Sequence, residues 1–291
     1  MSVKTIFFDL MDTLVYVDKK AVKKHLANIP TKKEETINWL KAGFMQALVA
    51  EELNVDYATL RDYLLTHDFH DLNEFISSGQ RFTHSRLNEK TLHISKKLTL
   101  IARNNTHLFP ETIEILEYLY SNGYNLYLYS NLMSPYKEIV KSLGLEKYFI
   151  KTIFSCEKGC KKPEGTLFQH YTFQKNKQAI MVGDNWHSDI IGAYQGDIPS
   201  IYIDRNNDNA FITHILNQGI TGLIKLTSQN TIKIKEEFRE YINEILPKSI
   251  NQDNIASSLF KREDKVIQFK CLKDIYYATN LNEALTIIQN R

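Results

Sequence analysis

Thr5-Ile6-Phe7-Phe8-Asp9-Leu10-Met11-Asp12-Thr13-Leu14 is the stretch that decides the fold. Thr5 to Phe8 is a short run of β-branched and aromatic residues, the composition of a buried strand. A polar cluster that includes Asp9, Asp12 and Thr13 follows at once. Side chains directly after a buried strand lie at the carboxyl edge of a sheet, where open α/β folds bind their ligands.

The same rhythm runs through the second half of the chain. The spacing of Ile113, Leu116 and Leu119 predicts a helix over Glu111 to Ser121, with Pro110 near its start and Asn122-Gly123 as its stop. A strand over Tyr124 to Tyr129 ends at Ser130-Asn131, and a helix over Tyr136 to Leu143 closes at Gly144. A short strand over Ile150 to Phe154 and a helix over about Thr166 to Gln174 flank Lys162-Pro163. A strand over Gln178 to Val182 ends at Gly183-Asp184, a helix covers Ser188 to Tyr194, and a strand covers Ser200 to Ile203. Asp274 to Tyr277 and Leu281 to Ile288 read as a final strand and helix. Strand-then-helix alternation predicts βαβ units and a parallel sheet.

Two segments interrupt this rhythm. Between Val17 and His107 apolar residues recur at helical spacing: Trp39, Phe44, Met45, Leu48 and Val49, then Leu60, Tyr63 and Leu64, then a stretch from Ser85 to Ala102. This region reads as all-helical, with a break near Asn104-Asn105. The second interruption, about residues 206–271, holds a long helix over Ile234 to Leu246 and a polar stretch over Asn251 to Ser258. The expected organisation is a Rossmann-like parallel-sheet core from residues 1–16 and 108–291, with an insert at about 206–271, and a helical domain over 17–107.

Composition narrows the function classes. Hydrophobic residues make up 43% and charged residues 24% of the 291, which is the globular range. The net charge of +2 gives no electrostatic argument for nucleic acid or a membrane surface. No apolar run approaches the roughly 20 residues that span a bilayer. The start of the chain lacks the ordered regions of a signal peptide, so a cytoplasmic location is the expectation. The three cysteines fit a reducing compartment. Cys156 and Cys160 are spaced C-x-x-x-C with His170 nearby, and without a second ligand pair they read as ordinary loop cysteines.

Polar groups follow four of the expected strands, and strand ends at one sheet edge can share a crevice. Asp9 can attack phosphorus as a covalent nucleophile or serve Mg²⁺ as a hard oxygen ligand; it can equally start a turn. Ser130, with Asn131, can hold a phosphate oxygen or cap a helix. Lys162 can neutralise a phosphate and a nucleophile together, although with Lys158 and Lys161 beside it a plain surface lysine is the better reading of any one of them taken alone. Gly183-Asp184 with Asp189 gathers negative charge that a cation would relieve, or caps the next helix. His187 reads as an exposed helix-start residue and Trp186 as packing.

Taken together and in this order, Asp9 to Thr13, Ser130, Lys162 and Gly183 to Asp189 resemble the four motifs of the haloacid dehalogenase (HAD) superfamily. The resemblance covers Val3 to Leu14 and about Phe109 to Arg205, and makes residues 17–107 a cap domain inserted after the first motif. It implies a Mg²⁺-dependent phosphatase for a small phosphorylated metabolite; the charge and the lack of long apolar runs add the expectation that neither nucleic acid nor membrane is a partner. In this family Asp9 would form an aspartyl-phosphate, Asp9 and Asp184 would hold the metal with the backbone carbonyl of Met11, and Asp189 would ligate it or brace its ligands. Ser130, Asn131 and Lys162 would bind the phosphoryl oxygens, and Thr13 would support the first loop.

One residue departs from the pattern. The family's acid/base Asp stands two residues after the nucleophile, where this chain has Met11. A thioether transfers no proton, and losing a general acid/base costs roughly 10²–10⁴-fold in rate. Asp12 is the nearest replacement, but neighbours on an extended segment face opposite ways, so an irregular turn would be needed. The competing expectation is a weak or inactive member that binds a phosphorylated ligand or a protein. A transferase or P–C hydrolase is a third, narrower one. Asp184 argues against dehalogenation, since dehalogenases of this family lack the Gly-Asp.

Overall fold

β1 (Thr5–Phe8) forms where the apolar run predicts it, and the sheet assembles on both its sides. The structure is a computed structural model, and it describes residues 3–26, 29, 31, 33–41, 45–162, 178–196, 198–205, 260–263, 266–269 and 275–291. The helices expected over Thr166 to Gln174 and Ile234 to Leu246, the polar stretch Asn251 to Ser258, His170 and Cys271 lie outside the described residues.

The remaining strands are β2 (Val15–Val17), β3 (Thr106–Leu108), β4 (Asn125–Ser130), β5 (Lys151–Phe154), β6 (Ala179–Gly183), β7 (Ser200–Ile203), β8 (Phe260–Glu263), β9 (Val266–Phe269) and β10 (Ile275–Ala278). The main sheet has the order β5-β4-β1-β6-β7-β10-β9-β8. Its first six strands are the parallel, Rossmann-like core. Every residue of β6 and β7 is buried, as expected for parallel strands covered on both faces. The register sets Phe8 opposite both Leu128 and Val182, so β6 runs one residue beyond the end of β1. The Asp9 N–H then donates to the Val182 carbonyl at 2.9 Å.

β8 and β9 form an antiparallel pair that β9 joins to β10, a feature the sequence reading of 206–271 missed. That reading followed the βα rhythm, and an edge hairpin has none.

The chain folds as two compact units, Met1–Thr13 with Pro110–Leu128 and Lys162–Arg291, and Leu14–Phe109 with Tyr129–Lys161. In the first unit, α7 (Thr112–Ser121) buries Thr112, Ile115, Leu116 and Leu119. Ile113, expected on that face, is 37% exposed, because the buried stripe runs i, i+3, i+4, i+7 from Thr112. Gly123 stops the segment at φ 76°, a left-handed conformation that glycine adopts without penalty. The last helix, α11 (Leu281–Gln289), begins at Asn280, whose side chain accepts the Glu283 N–H at 3.0 Å. Glu283 in turn accepts the Thr279 N–H at 2.8 Å, close to a reciprocal capping box.

The second unit contains the expected helices: α1 (Lys19–Lys23), α2 (Glu34–Lys41), α3 (Ala47–Leu53), α4 (Tyr57–Thr66), α5 (Leu72–Ser77) and α6 (Glu89–Asn104). Leu40, Met45, Leu53, Leu60, Leu64, Phe75 and Leu98 share one apolar core, which Met133 joins. Asp18, Asp56, Asp71 and Asn88 start α1, α4, α5 and α6 by accepting backbone N–H groups. β2 and β3 pair antiparallel, with Val17 opposite Thr106, and so bring both ends of the helical segment together. Lys137 binds Asp68 at 2.8 Å and Glu157 at 3.0 Å, and Lys161 binds Asp62 at 2.8 Å.

In place of the expected helix over Tyr136 to Leu143 the chain forms a 3₁₀ turn, Ser134–Tyr136, with Pro135 in its first turn, and then α8 (Glu138–Ser142) after Lys137. Cys156 lies buried on α9 (Ser155–Lys158), rather than in a loop, and burial pushes its thiol up to about 11. Among the described residues no helix is long and apolar enough to cross a membrane.

Candidate active site

Within the first unit the structure gathers Asp9, Thr13, Lys162, Asp184 and Asp189. Asp9 follows β1 and is 7% exposed. Lys162 reaches between two carboxylates: its Nζ donates to Asp9 Oδ1 at 2.6 Å and to Asp189 Oδ1 at 2.5 Å. The Lys162 and Asp189 side chains are each 1% exposed, so this is a buried ion-pair triad. Lys161, one residue earlier, pairs instead with Asp62 at 2.8 Å in a more exposed setting.

Asp189 sits on a π turn, Trp186–Ile191, that continues into α10 (Gly192–Gln195). The sequence predicted an ordinary helix here. The Asn185 carbonyl instead accepts from Asp189 N at 2.8 Å and from Ile190 N at 3.4 Å, the i+4 and i+5 donors. The widened turn directs Asp189 back toward its own start, where Oδ2 accepts the Asn185 N–H at 3.0 Å. The Asn185 side chain accepts Ser188 N at 2.8 Å and caps the turn. Gly183 is required by this packing: a Cβ there would stand 2.7 Å from Asp189 Cβ and closer still to its carboxylate.

Asp184 directly follows β6, is half-buried and accepts the Thr13 hydroxyl at 3.2 Å. One carboxylate oxygen from each of Asp9, Asp184 and Asp189 lies within 4.8 Å of the others. Three carboxylates against one ammonium leave an excess of negative charge. Burial, followed by the charges of Asp9, Asp189 and Asp12, holds the Asp184 carboxyl well above the usual range despite Lys162. Burial pushes Asp189 up to about 7, against the pull of Lys162 and with added repulsion from Asp9. Burial works against the Lys162 ammonium, but Asp189 and Asp9 outweigh it and raise its affinity for the proton. Clustered, all-oxygen donors with surplus negative charge fit a hard divalent cation such as Mg²⁺ better than a thiolate- or imidazole-seeking metal.

Asp12 is exposed, at φ 54°. That left-handed residue breaks the strand alternation, and the Asp12 charge acts on Asp184. Met11 is half-buried in the same loop. Ser130 is buried and Asn131 half-buried at the end of β4, and both belong to the second unit. His187 is half-buried on the π turn rather than exposed.

Arg205 supports the first loop and Glu111 holds Arg205, and the sequence reading selected neither for the site. Arg205 donates through Nη2 to the Thr13 carbonyl and through Nη1 to Glu111. Arg205 follows β7, so the strand-end rule applied to one more strand would have found it. Its neighbour Asp204 is buried and accepts the Tyr277 hydroxyl at 3.1 Å.

Comparison with known proteins gives the class. The chain matches the haloacid dehalogenase-like hydrolase family over residues 3–197. It belongs to that family. It is 30% identical over 208 residues to a glyceraldehyde 3-phosphate phosphatase of Pyrococcus abyssi, covering 66% of this chain and 77% of that one. It is 27% identical over 117 residues to the glyceraldehyde 3-phosphate phosphatase of Methanothermobacter thermautotrophicus, covering 38% of this chain and 51% of that one. The match thus spans about half the length of the second relative. A crystal structure of a HAD phosphatase from Thermococcus onnurineus aligns with TM-score 0.45 and 21% identity, covering 71% of this chain and 88% of that one.

Proposed function

We propose that this hydrolase is a Mg²⁺-dependent phosphatase acting on a small phosphorylated metabolite through an aspartyl-phosphate on Asp9. The observation that carries the reading is Lys162, buried between Asp9 and Asp189 beside Asp184. Two relatives named for glyceraldehyde 3-phosphate make a short sugar phosphate the substrate class to try first.

In this reading Asp9 attacks phosphorus, the ester P–O bond breaks, and the departing oxygen takes a proton. Lys162 holds Asp9 in place and offsets charge on the phosphoryl oxygens. Asp9, Asp184, Asp189 and the Met11 carbonyl would hold Mg²⁺, which when bound would supply charge neutralisation at the phosphoryl group. Asp12 gives the proton to the leaving group and later takes one from the water that cleaves the aspartyl-phosphate. Its left-handed backbone is the irregular turn that this role requires. Residues 17–107 act as a cap that selects the substrate.

Met11 favours a second reading, a member that binds phosphorylated ligands with little turnover. Hydrolysis of p-nitrophenyl phosphate with Mg²⁺ separates the two. The first reading expects turnover that Asp9→Asn abolishes and Asp12→Asn lowers roughly 10²–10⁴-fold. Activity surviving Asp9→Asn would overturn the mechanism. Activity that appears only in Met11→Asp would favour the second reading.

A further inference from the structure

The chain leaves the first unit after Thr13 and re-enters it at Pro110. Arg205 holds both of these points from within that unit. One arm of its guanidinium donates to the Thr13 carbonyl and the other to the Glu111 carboxylate, next to Pro110. The two side chains are only 10% and 13% exposed. Glu111 is itself fixed, since Oε1 also accepts the Leu281 N–H at 3.2 Å, at the start of α11. Thr13 is the residue whose hydroxyl donates to Asp184. A contact chain therefore runs from α11 through Glu111 and Arg205 to Thr13 and on to Asp184. A planar guanidinium suits this task because its donors keep a fixed angle, which a lysine ammonium does not provide.

We propose that Arg205 is a positioning residue for the phosphoryl site: it fixes the Asp9–Thr13 loop through the Thr13 carbonyl and so keeps the Thr13 hydroxyl on Asp184. The inference rests on the Mg²⁺ phosphatase reading for its consequence and on the hydrogen bonds of Arg205 for its cause. Groups that orient metal ligands without touching the metal are typically worth about 10–100-fold in metal affinity.

The test uses the full chain and the variants Arg205→Lys and Glu111→Gln. Hydrogen exchange is followed in the peptide spanning Leu10–Leu14 without metal, and Mg²⁺ affinity is measured by calorimetry with Mg²⁺ alone. In Arg205→Lys the loop peptide is expected to exchange about tenfold faster, and Mg²⁺ to bind about 10–100-fold more weakly. Glu111→Gln keeps an acceptor for Arg205, so a smaller change in the same direction is expected. It carries the test if Arg205→Lys does not fold. Unchanged loop exchange, with or without a lower melting temperature, overturns the proposal. So does faster exchange with unchanged Mg²⁺ affinity. If the unaltered protein neither binds Mg²⁺ nor turns over p-nitrophenyl phosphate, the phosphatase reading fails. The exchange arm then still decides whether Arg205 holds the loop.

Discussion

Aspartates do opposite work in the two units. In the helical unit Asp18, Asp56 and Asp71 are helix caps, and the backbone N–H groups they accept hold their carboxyls below the usual range. In the sheet unit Asp184 and Asp189 also precede or open a helical turn, yet burial drives both carboxyls upward. Local sequence is nearly the same in the two settings, a carboxylate beside a helix start. Access to water and the number of neighbouring carboxylates make the difference. A cap is relaxed when ionised. The sheet-end cluster is complete only with a positive charge, part of which Lys162 already supplies.

The sharpest way to break this contrast is to remove that charge. Lys162→Met strands buried carboxylates, and a loss of about 3–5 kcal/mol in urea unfolding without metal is expected. A loss under about 1 kcal/mol would mean that the cluster does not depend on its lysine. Next in size is Gly183→Ala. The added methyl displaces Asp189, and Mg²⁺ affinity by calorimetry should weaken about 10–100-fold. The third test compares signs. Asp184→Asn should raise the metal-free melting temperature by a few degrees and abolish its increase with Mg²⁺, whereas Asp56→Ala, which loses a cap, should lower it by about as much. The same sign in both would erase the distinction.

The smallest effect is a pH slope. A carboxyl raised on folding stabilises the protein while protonated in the folded state, and that contribution is lost as pH rises through its folded value. With metal chelated, the melting temperature should therefore fall as pH rises from the ordinary carboxylate value of 3.8 to about 7, the Asp189 value, and level off above it, and Mg²⁺ should flatten the slope. The caps work the other way. Their contribution is present above the ordinary carboxylate value and is lost only as pH falls through their lowered ones.

Much of the sheet is legible in the sequence because parallel strands covered on both faces read as unbroken apolar runs, as at Ile6–Phe8 and Ile180–Val182. The polar residues that end those runs are legible for the same reason. What is hidden depends on partners far along the chain. Arg205 meets Thr13 across 192 positions, and neither residue announces the other. The π turn is hidden because a widened helical turn keeps a helix-like pattern, so the return of the Asp189 carboxylate onto the Asn185 N–H cannot be read from it. The choice among Lys158, Lys161 and Lys162 is made by burial alone, which composition cannot express.

The short ladder of β2 with β3 has one more consequence. Val17 lies opposite Thr106, and the Asp18 N–H donates to the Asn105 carbonyl at 2.8 Å, so residues 18–105 begin and end at one place. Closing such an excursion depends weakly on its length, about 0.6 kcal/mol for each doubling. The ladder works as a socket: an excursion of different length or content can be seated on the same two short strands without moving their register.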